Sequence, residues 1–422
     1  GRIAECLANG TRPAAPVDQE FDAHDLVILP GLVNCHHHFY QTLTRALPAA
    51  LNKPLFPWLQ ALYPVWAGLD EEAIALATEL ALAELMLSGC TLASDHHYLF
   101  TPAIESAIDI QVDVARRLGV RVVLTRGSMS LSEKDGGLPP DTVVQTEARI
   151  LAESERLIAA HHDDAPDAMV QIALAPCSPF SVTADLMRDS AALARQHGVR
   201  LHTHLAETED ENAFCLQHVG QRPLDYLASL DWLADDVWLA HGIHFTEDEI
   251  ARLGAAGTAI SHCPSSNMVL ASGICPVVAL EEAGCPVGLG VDGSASNDVS
   301  SMINEVRQAL VLQRLQSGAQ TITHERALHW GSAGGAALFG RSELGTLAPG
   351  QLADLGCYAL DELRFSGAGD PVAALILCGA QSVRHLMIQG EWRVRDGAVA
   401  DLDLAALRAR HGAAARRLAQ AH

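Results

Sequence analysis

Lysine is almost absent from this chain: of 422 residues, only Lys53 and Lys134 carry an ammonium side chain. That leaves 28 basic against 51 acidic residues and a formal net charge of −23. A surface of that sign repels phosphate backbones, which argues against nucleic acid and anionic membrane as partners and for a small-molecule substrate. Long apolar runs are missing too. No stretch approaches the roughly 18 residues that span a bilayer. The opening "GRIAECLANG" has no basic segment followed by an apolar run, so no signal peptide is expected. Cysteine pairs at C-x-x-C spacing are also lacking. The ten cysteines are scattered, several of them (Cys90, Cys285, Cys378) in apolar surroundings. That pattern argues against a disulfide framework and for reduced, mostly buried thiols in a cytoplasmic protein.

Apolar residues make up 49% of the chain and charged residues 19%, enough for a large core. The length suits one large domain with a smaller addition. From about Val33 to Gly340, short apolar runs alternate with helical patterns. The runs are "LVNCHHH", "CTLASDHH", "VRVVLTRG", "VQIALAPCS", "VRLHTHLAET", "DVWLAHGIH", "TAISHCPSS" and "PVGLGVDGS". Thr246 and Glu249 form a capping box that opens one of the helices. Strand-then-helix order implies parallel strands with crossover helices, and eight such units favour an α/β chain closed as a (β/α)₈ barrel. Residues 31–344 are assigned to it. Residues 1–30 and 345–400 read as short strands and turns, together a small β domain drawn from both chain ends. Residues 401–422, with Arg408, Arg410, Arg416 and Arg417, read as a solvated surface helix.

The polar residues fall at strand C-terminal ends, where such a barrel keeps its active site. Side chains alternate along a strand, so His36 and His38 share a face while His37 points to the surrounding helices or a loop. His202 and His204 share a face at the fifth strand, with Glu207 three residues beyond His204. His241 ends the sixth strand and Asp292 follows the eighth. Taken singly, an H-x-H is a coincidence, "HLAE" a helix start and "VDGS" a turn. Taken in order at successive strand ends, they make His36, His38, His204 and Asp292 a metal-ligand set of three nitrogens and one carboxylate oxygen, suited to a divalent transition metal. A two-metal barrel of this kind commonly bridges its ions with a modified lysine on the fourth strand. "VQIALAPCS" has none, so one metal is expected.

With these residues assembled, the chain resembles the amidohydrolase superfamily in its aminohydrolase branch. The resemblance runs over "PGLVNCHHHF", "HLAET", "AHGIHF", "SHCPSSN", "GLGVDGSASND" and "LGTLAPGQLADL". The segments "HHHFYQTLTRALPAALNKPLFPWLQALYPVWAGL" and "LSGCTLASDHHYLF" are similar to those of the 8-oxoguanine deaminases, a group close to the guanine deaminases and hydroxyatrazine aminohydrolases. It implies a barrel with a flanking β-sandwich, and one zinc ion (iron is the alternative) on His36, His38, His204 and Asp292. It implies Glu207 as proton relay, Asp292 as the acceptor of a proton from water, and His241 as an assistant that is not a firm ligand. Gln41 would bond the carbonyl edge of a purine.

Guanine deaminases carry an arginine beyond the fourth strand where this chain has Cys177, which argues for an oxidised or otherwise altered ring. Trp58, Tyr63, Trp66 and Tyr98 follow the first two strands and would either wall the pocket with Cys177 or simply pack in loops. Asn267 is expected to be structural. The implied reaction is hydrolytic deamination of 8-oxoguanine to urate and ammonia. Guanine, a pterin or a hydroxytriazine are the alternative rings, and a non-catalytic barrel is the alternative of another class. Relatives of this kind are commonly homo-oligomers.

Overall fold

A computed structural model describes all residues except 9, 14, 380, 381, 421 and 422. The strands are β1 (Leu26–Pro30), β2 (Leu32–Asn34), β3 (Cys90–His97), β4 (Arg121–Ser128), β5 (Val170–Pro176), β6 (Leu201–Leu205), β7 (Val237–His241), β8 (Ala259–His262) and β9 (Val287–Leu289), then β10 (Leu355–Ala359), β11 (His385–Ile388), β12 (Glu391–Arg395) and β13 (Ala398–Val399). Strands β2 to β9 are parallel and close into a barrel in chain order, all eight runs read from the sequence being present. Apart from Gln171, every residue of these eight strands is buried, as expected where helices cover one face and packed side chains fill the other.

Barrel closure rests on the short β2. Its ladder to β9 is the single pair Asn34↔Leu289. The Asn34 side chain ties β2 to both sides: its amide donates to the carbonyl of Ser94 on β3 at 3.2 Å and accepts from the Val291 N–H, just past β9, at 2.9 Å. The first barrel strand is thus shorter than "LVNCHHH" suggests. His36 and His38 lie just beyond the ladder, on backbone that still directs both side chains inward.

The two chain ends build one antiparallel sheet in the order β1-β10-β11-β12-β13. A second layer facing it, as in a full sandwich, is represented among the described residues by one bridge, Arg2↔Leu352. The mostly exposed segment before β1 contains Pro13 and Pro16, and proline cannot donate to a ladder.

The C-terminal helix Leu404–Gln420 is more than a solvated surface helix. Leu407, His411, Ala414 and Leu418 are buried. This face packs on the helix Glu71–Leu87 and on the 3₁₀ turn Phe39–Thr44. His411 Nε2 is 3.0 Å from the Thr42 hydroxyl, and Arg417 reaches Glu72 at 3.1 Å on the surface. The turn that carries Gln41 is therefore backed by the end of the chain. No helix among the described residues is long and apolar enough to cross a membrane.

His262 ends β8, and burial holds its pKa down to about 3 from an ordinary 6.5. It is neutral in the fold and takes up a proton on unfolding anywhere between those values. Relative to H262Q, the wild type is therefore expected to lose about 1.4 kcal/mol per pH unit as pH falls from about 6.5 to about 4, with no such divergence above pH 7. Urea unfolding of both proteins across that range checks this; parallel stability curves would refute it.

Candidate active site and metal centre

The barrel brings His36, His38, His204 and Asp292 to one point at its C-terminal mouth. Asp292 Oδ1 is 3.3 Å from His36 Nε2 and 3.3 Å from His38 Nε2. His204 Nε2 is 3.2 Å from His38 Nε2. All four residues are buried. Three ring nitrogens this close repel one another if protonated and attract a cation if not.

Hydrogen bonding decides which. The carbonyl of His96 accepts from His38 Nδ1 at 2.7 Å, and the carbonyl of Cys177 accepts from His204 Nδ1 at 2.7 Å. A carbonyl can only accept, so each ring carries its proton on Nδ1 and turns an Nε2 lone pair inward. His36 Nδ1 is engaged by His202 at 2.8 Å, while its Nε2 is buried without any hydrogen-bond partner. Burial further holds the pKa of His36 well below the ordinary value and that of His204 at about 3. These donors fit a divalent cation: three imidazoles and a carboxylate, each oriented by a second hydrogen bond.

His37 stands apart. Its Nδ1 accepts from the His38 N–H at 2.7 Å and its ring packs edge-on against Phe39. His96, which the sequence reading passed over, lies beside the cluster: its ring stacks on His204 at 4.7 Å, and its Nε2 donates to the carbonyl of Ala175 at 2.9 Å.

Three residues at the mouth adopt left-handed backbone that glycine usually occupies: Ala206 (φ 53°), His241 (φ 72°) and Asp292 (φ 62°). Such geometry costs on the order of 1–3 kcal/mol each and persists where surroundings impose it. Asp292 is fixed by the Gly293 N–H on Oδ1 at 2.7 Å and the Ser296 hydroxyl on Oδ2 at 3.2 Å. Burial pushes its pKa up, but His36 and His38 beside it pull it well below the carboxylate range. Close packing at Gly290 is equally tight, since a Cβ there would meet the His36 Cβ and the Ser261 hydroxyl at 2.7 Å.

Glu207 Oε2 lies 3.5 Å from His241 Nε2, which is itself 4.0 Å from Asp292 Oδ2. Burial, and then the charge of Asp292, raise the Glu207 pKa well above its ordinary value, opposite to the shift of Asp292. His241 is oriented by Asn267, whose Oδ1 faces Nδ1 at 3.0 Å. Glu211, absent from the sequence reading, accepts from the N–H groups of Ala206 and Glu207 at 3.0 and 2.9 Å and so shapes the turn behind the Glu207 carboxyl. Its signal was an acid four residues after Glu207. Glu305 braces the neighbouring loops in the same way, accepting from Asn297 Nδ2 at 2.7 Å and from the Ser265 N–H at 3.3 Å.

A cleft opens above these groups. Gln41, Trp58, Tyr63, Tyr98 and Cys177 line it together with His38, His204, Glu207, His241 and Asp292. Leu55, Leu59, Phe180, Leu270 and Ser296 complete the wall. Trp66 does not line it, a correction to the sequence reading. It lies behind Trp58 and Tyr63 at ring distances of 5.5 and 6.0 Å, and its indole N–H is taken by the Thr44 hydroxyl at 3.1 Å. The helix Leu55–Trp66 faces the cleft near its start and through Tyr63, and its last residue turns into the core. Cys177 enters as a neutral thiol, because burial pushes its pKa up to about 12. The Gln41 Oε1 is buried without a partner and presses on the backbone of Gly293, where a Cβ would come within 1.8 Å of it.

With this geometry in place, comparison with known proteins is direct. The amidohydrolase family model matches residues 27–393. The chain belongs to the amidohydrolase family. It is 64% identical to the 8-oxoguanine deaminase of Pseudomonas aeruginosa over 99% of this chain and 93% of the relative. It is 37% identical to an isoxanthopterin deaminase of an unknown prokaryotic organism, over 97% of this chain and 89% of that one. Among solved structures, it is similar to the atrazine chlorohydrolase TrzN of Arthrobacter aurescens TC1 complexed with zinc. The TM-score is 0.88 and the identity 30%, covering 93% of this chain and 88% of that one.

The ligand geometry makes a prediction that needs no substrate. Purified with zinc supplementation, the wild type is expected to hold about one equivalent of divalent metal. His204→Ala and Asp292→Ala should fall below a tenth of an equivalent, and His37→Phe should keep the wild-type amount. Elemental analysis after gel filtration measures all four; retention by D292A or loss by H37F would contradict the assignment.

Proposed function

We propose that this amidohydrolase is a zinc-dependent aminohydrolase that converts 8-oxoguanine and water to urate and ammonia. The observation that carries the reaction class is the placement of two buried carboxyl groups on either side of His241 and facing one slot, Glu207 at 3.5 Å and Asp292 at 4.0 Å, with their pKa values driven in opposite directions. Two carboxyl groups driven apart in this way supply the acid and the base that hydrolytic deamination needs. The choice of ring is supported by the 64% identical relative.

His36, His38, His204 and Asp292 would hold the ion, which when bound lowers the pKa of water and polarises it towards attack near neutral pH. The chain's own groups do the rest. Asp292 Oδ2, turned away from the ligand cluster, accepts a proton from the attacking water. His241 Nε2, set by Asn267, orients that water. Glu207 donates its proton to the ring nitrogen next to C2, so that C2 becomes electrophilic. The C2–O bond forms, and the proton taken from water passes to the exocyclic amine. The C2–N bond then breaks, ammonia leaves, and the proton of the new C2 hydroxyl passes to Glu207 as the carbonyl of the product forms.

Trp58, Tyr63 and Tyr98 give the slot its flat apolar walls and exclude bulk water. Gln41 can both donate to a ring carbonyl and accept from a ring N–H, which suits the amide-like edge of an oxopurine. Neutral Cys177 puts no positive charge where an arginine would favour a purine with a bare nitrogen there. A pterin is the second reading, favoured by the isoxanthopterin deaminase relative, since that ring presents the same amino group beside a ring nitrogen. Ten free cysteines, eight of them buried, support work in a reducing compartment such as the cytoplasm.

Initial rates on 8-oxoguanine, guanine, isoxanthopterin and hydroxyatrazine test the substrate. 8-Oxoguanine is expected to have the highest kcat/KM, and another ring ranking above it would replace the assignment. Glu207→Gln is expected to lower kcat at least about 100-fold with metal content unchanged. Near-wild-type turnover would remove the proton-donor role. Gly293→Ala, which displaces the Gln41 amide, is expected to raise KM about tenfold, the worth of one good hydrogen bond. An unchanged KM would separate Gln41 from substrate recognition.

A further inference from the structure

The three histidines of the candidate metal centre are not held alike. His38 and His204 each give their Nδ1 proton to a backbone carbonyl, but His36 Nδ1 meets another imidazole, His202 Nε2, at 2.8 Å. A carbonyl fixes the direction of a hydrogen bond by itself. An imidazole nitrogen does not, since it can donate or accept. If His202 donated, His36 would carry its proton on Nε2 and could not offer that atom to a cation.

The rest of the chain of contacts removes the ambiguity. His202 Nδ1 lies 2.8 Å from the carbonyl of Trp238, which can only accept. No carboxylate among the described residues pairs with His202, so nothing nearby stabilises a second proton on it. Its single proton sits on Nδ1, its Nε2 accepts, and His36 must donate. The same tryptophan clamps the arrangement twice more. Its ring stacks on His202 with centroids 4.4 Å apart and planes inclined by 14°. Its indole N–H donates to the carbonyl of Cys35, the residue before His36, at 3.1 Å. Backbone and side chain of the first ligand are thus referred to one residue on β7, the strand beside that of His202.

We propose that His202 is a positioning residue for the metal centre: accepting from His36, it fixes the tautomer that leaves His36 Nε2 free to bind the ion. The inference deepens the metal-dependent reading and rests on it, but not on the identity of the ring.

The test uses the full-length chain, stripped of metal and titrated with zinc ion against a competing chelator, without substrate. His202→Phe keeps the ring shape and removes the acceptor. His202→Asn keeps polarity but is too short to reach His36. His202→Gln can place an amide oxygen where Nε2 stood. H202F and H202N are expected to bind zinc 10- to 100-fold more weakly than wild type, and H202Q to recover at least tenfold over H202N. A purely space-filling role would instead leave H202F near wild type and H202Q no better than H202N; that result would overturn the proposal. Circular dichroism of the metal-free proteins identifies a variant that fails to fold. If H202F does, the H202N and H202Q pair decides alone. A wrong substrate assignment would alter the rate comparison above and leave these zinc affinities unmoved.

Discussion

The constraint on which the site depends is a directional one. Three imidazoles are crowded in a dry barrel mouth, and each must present a bare lone pair to the same point. Left free, such rings would protonate or rotate to find partners, because a buried nitrogen without one is costly. Here each Nδ1 is occupied from behind, by the carbonyls of His96 and Cys177 and by His202. The lone pairs can go nowhere else. Asp292, on strained backbone, completes the set, and its second oxygen is left for Ser296 and the space beside His241.

The asymmetry between the two carboxyl groups follows from the same arrangement. Asp292 touches the ligand rings and is drawn to its ionised form. Glu207, one step further out, is buried beside that negative charge and pushed the other way. No residue type distinguishes them; position relative to the histidines does. This is also why the barrel fold by itself predicts neither role, whereas the order of residues at its strand ends predicts much of both.

Much of this was legible in the sequence, because strand ends in a (β/α)₈ barrel converge whatever lies between them. The eight strands, the inward pair His36 and His38, and the approach of His204, His241, Glu207 and Asp292 follow from alternation and order alone. Alternation succeeded even though the β2 ladder stops at Asn34: Nε2 of His36 and of His38 both lie 3.3 Å from Asp292 Oδ1. What the sequence could not show were contacts made through the main chain or between distant loops. Nothing in "PCS" says that the carbonyl of Cys177, rather than its thiol, would hold His204. Trp66 failed as a pocket residue because helix phase and loop packing, not proximity in sequence, decide which indole faces the cleft. The C-terminal helix was read by its arginines, and its buried face of Leu407, His411, Ala414 and Leu418 went unseen.

That helix has a consequence for how the protein comes into being. Thr42 and His411 are 369 residues apart in the chain, and the closing rung of the barrel joins Asn34 to Leu289. During synthesis, the "HHH" segment leaves the ribosome long before either partner exists. It must wait with its imidazoles uncommitted until the eighth strand emerges, and the turn bearing Gln41 must wait for the helix Leu404–Gln420. A turn that lines the cleft is therefore among the last to be seated. A nascent or truncated chain would already display metal-binding side chains while lacking the backing that turns them into a selective site.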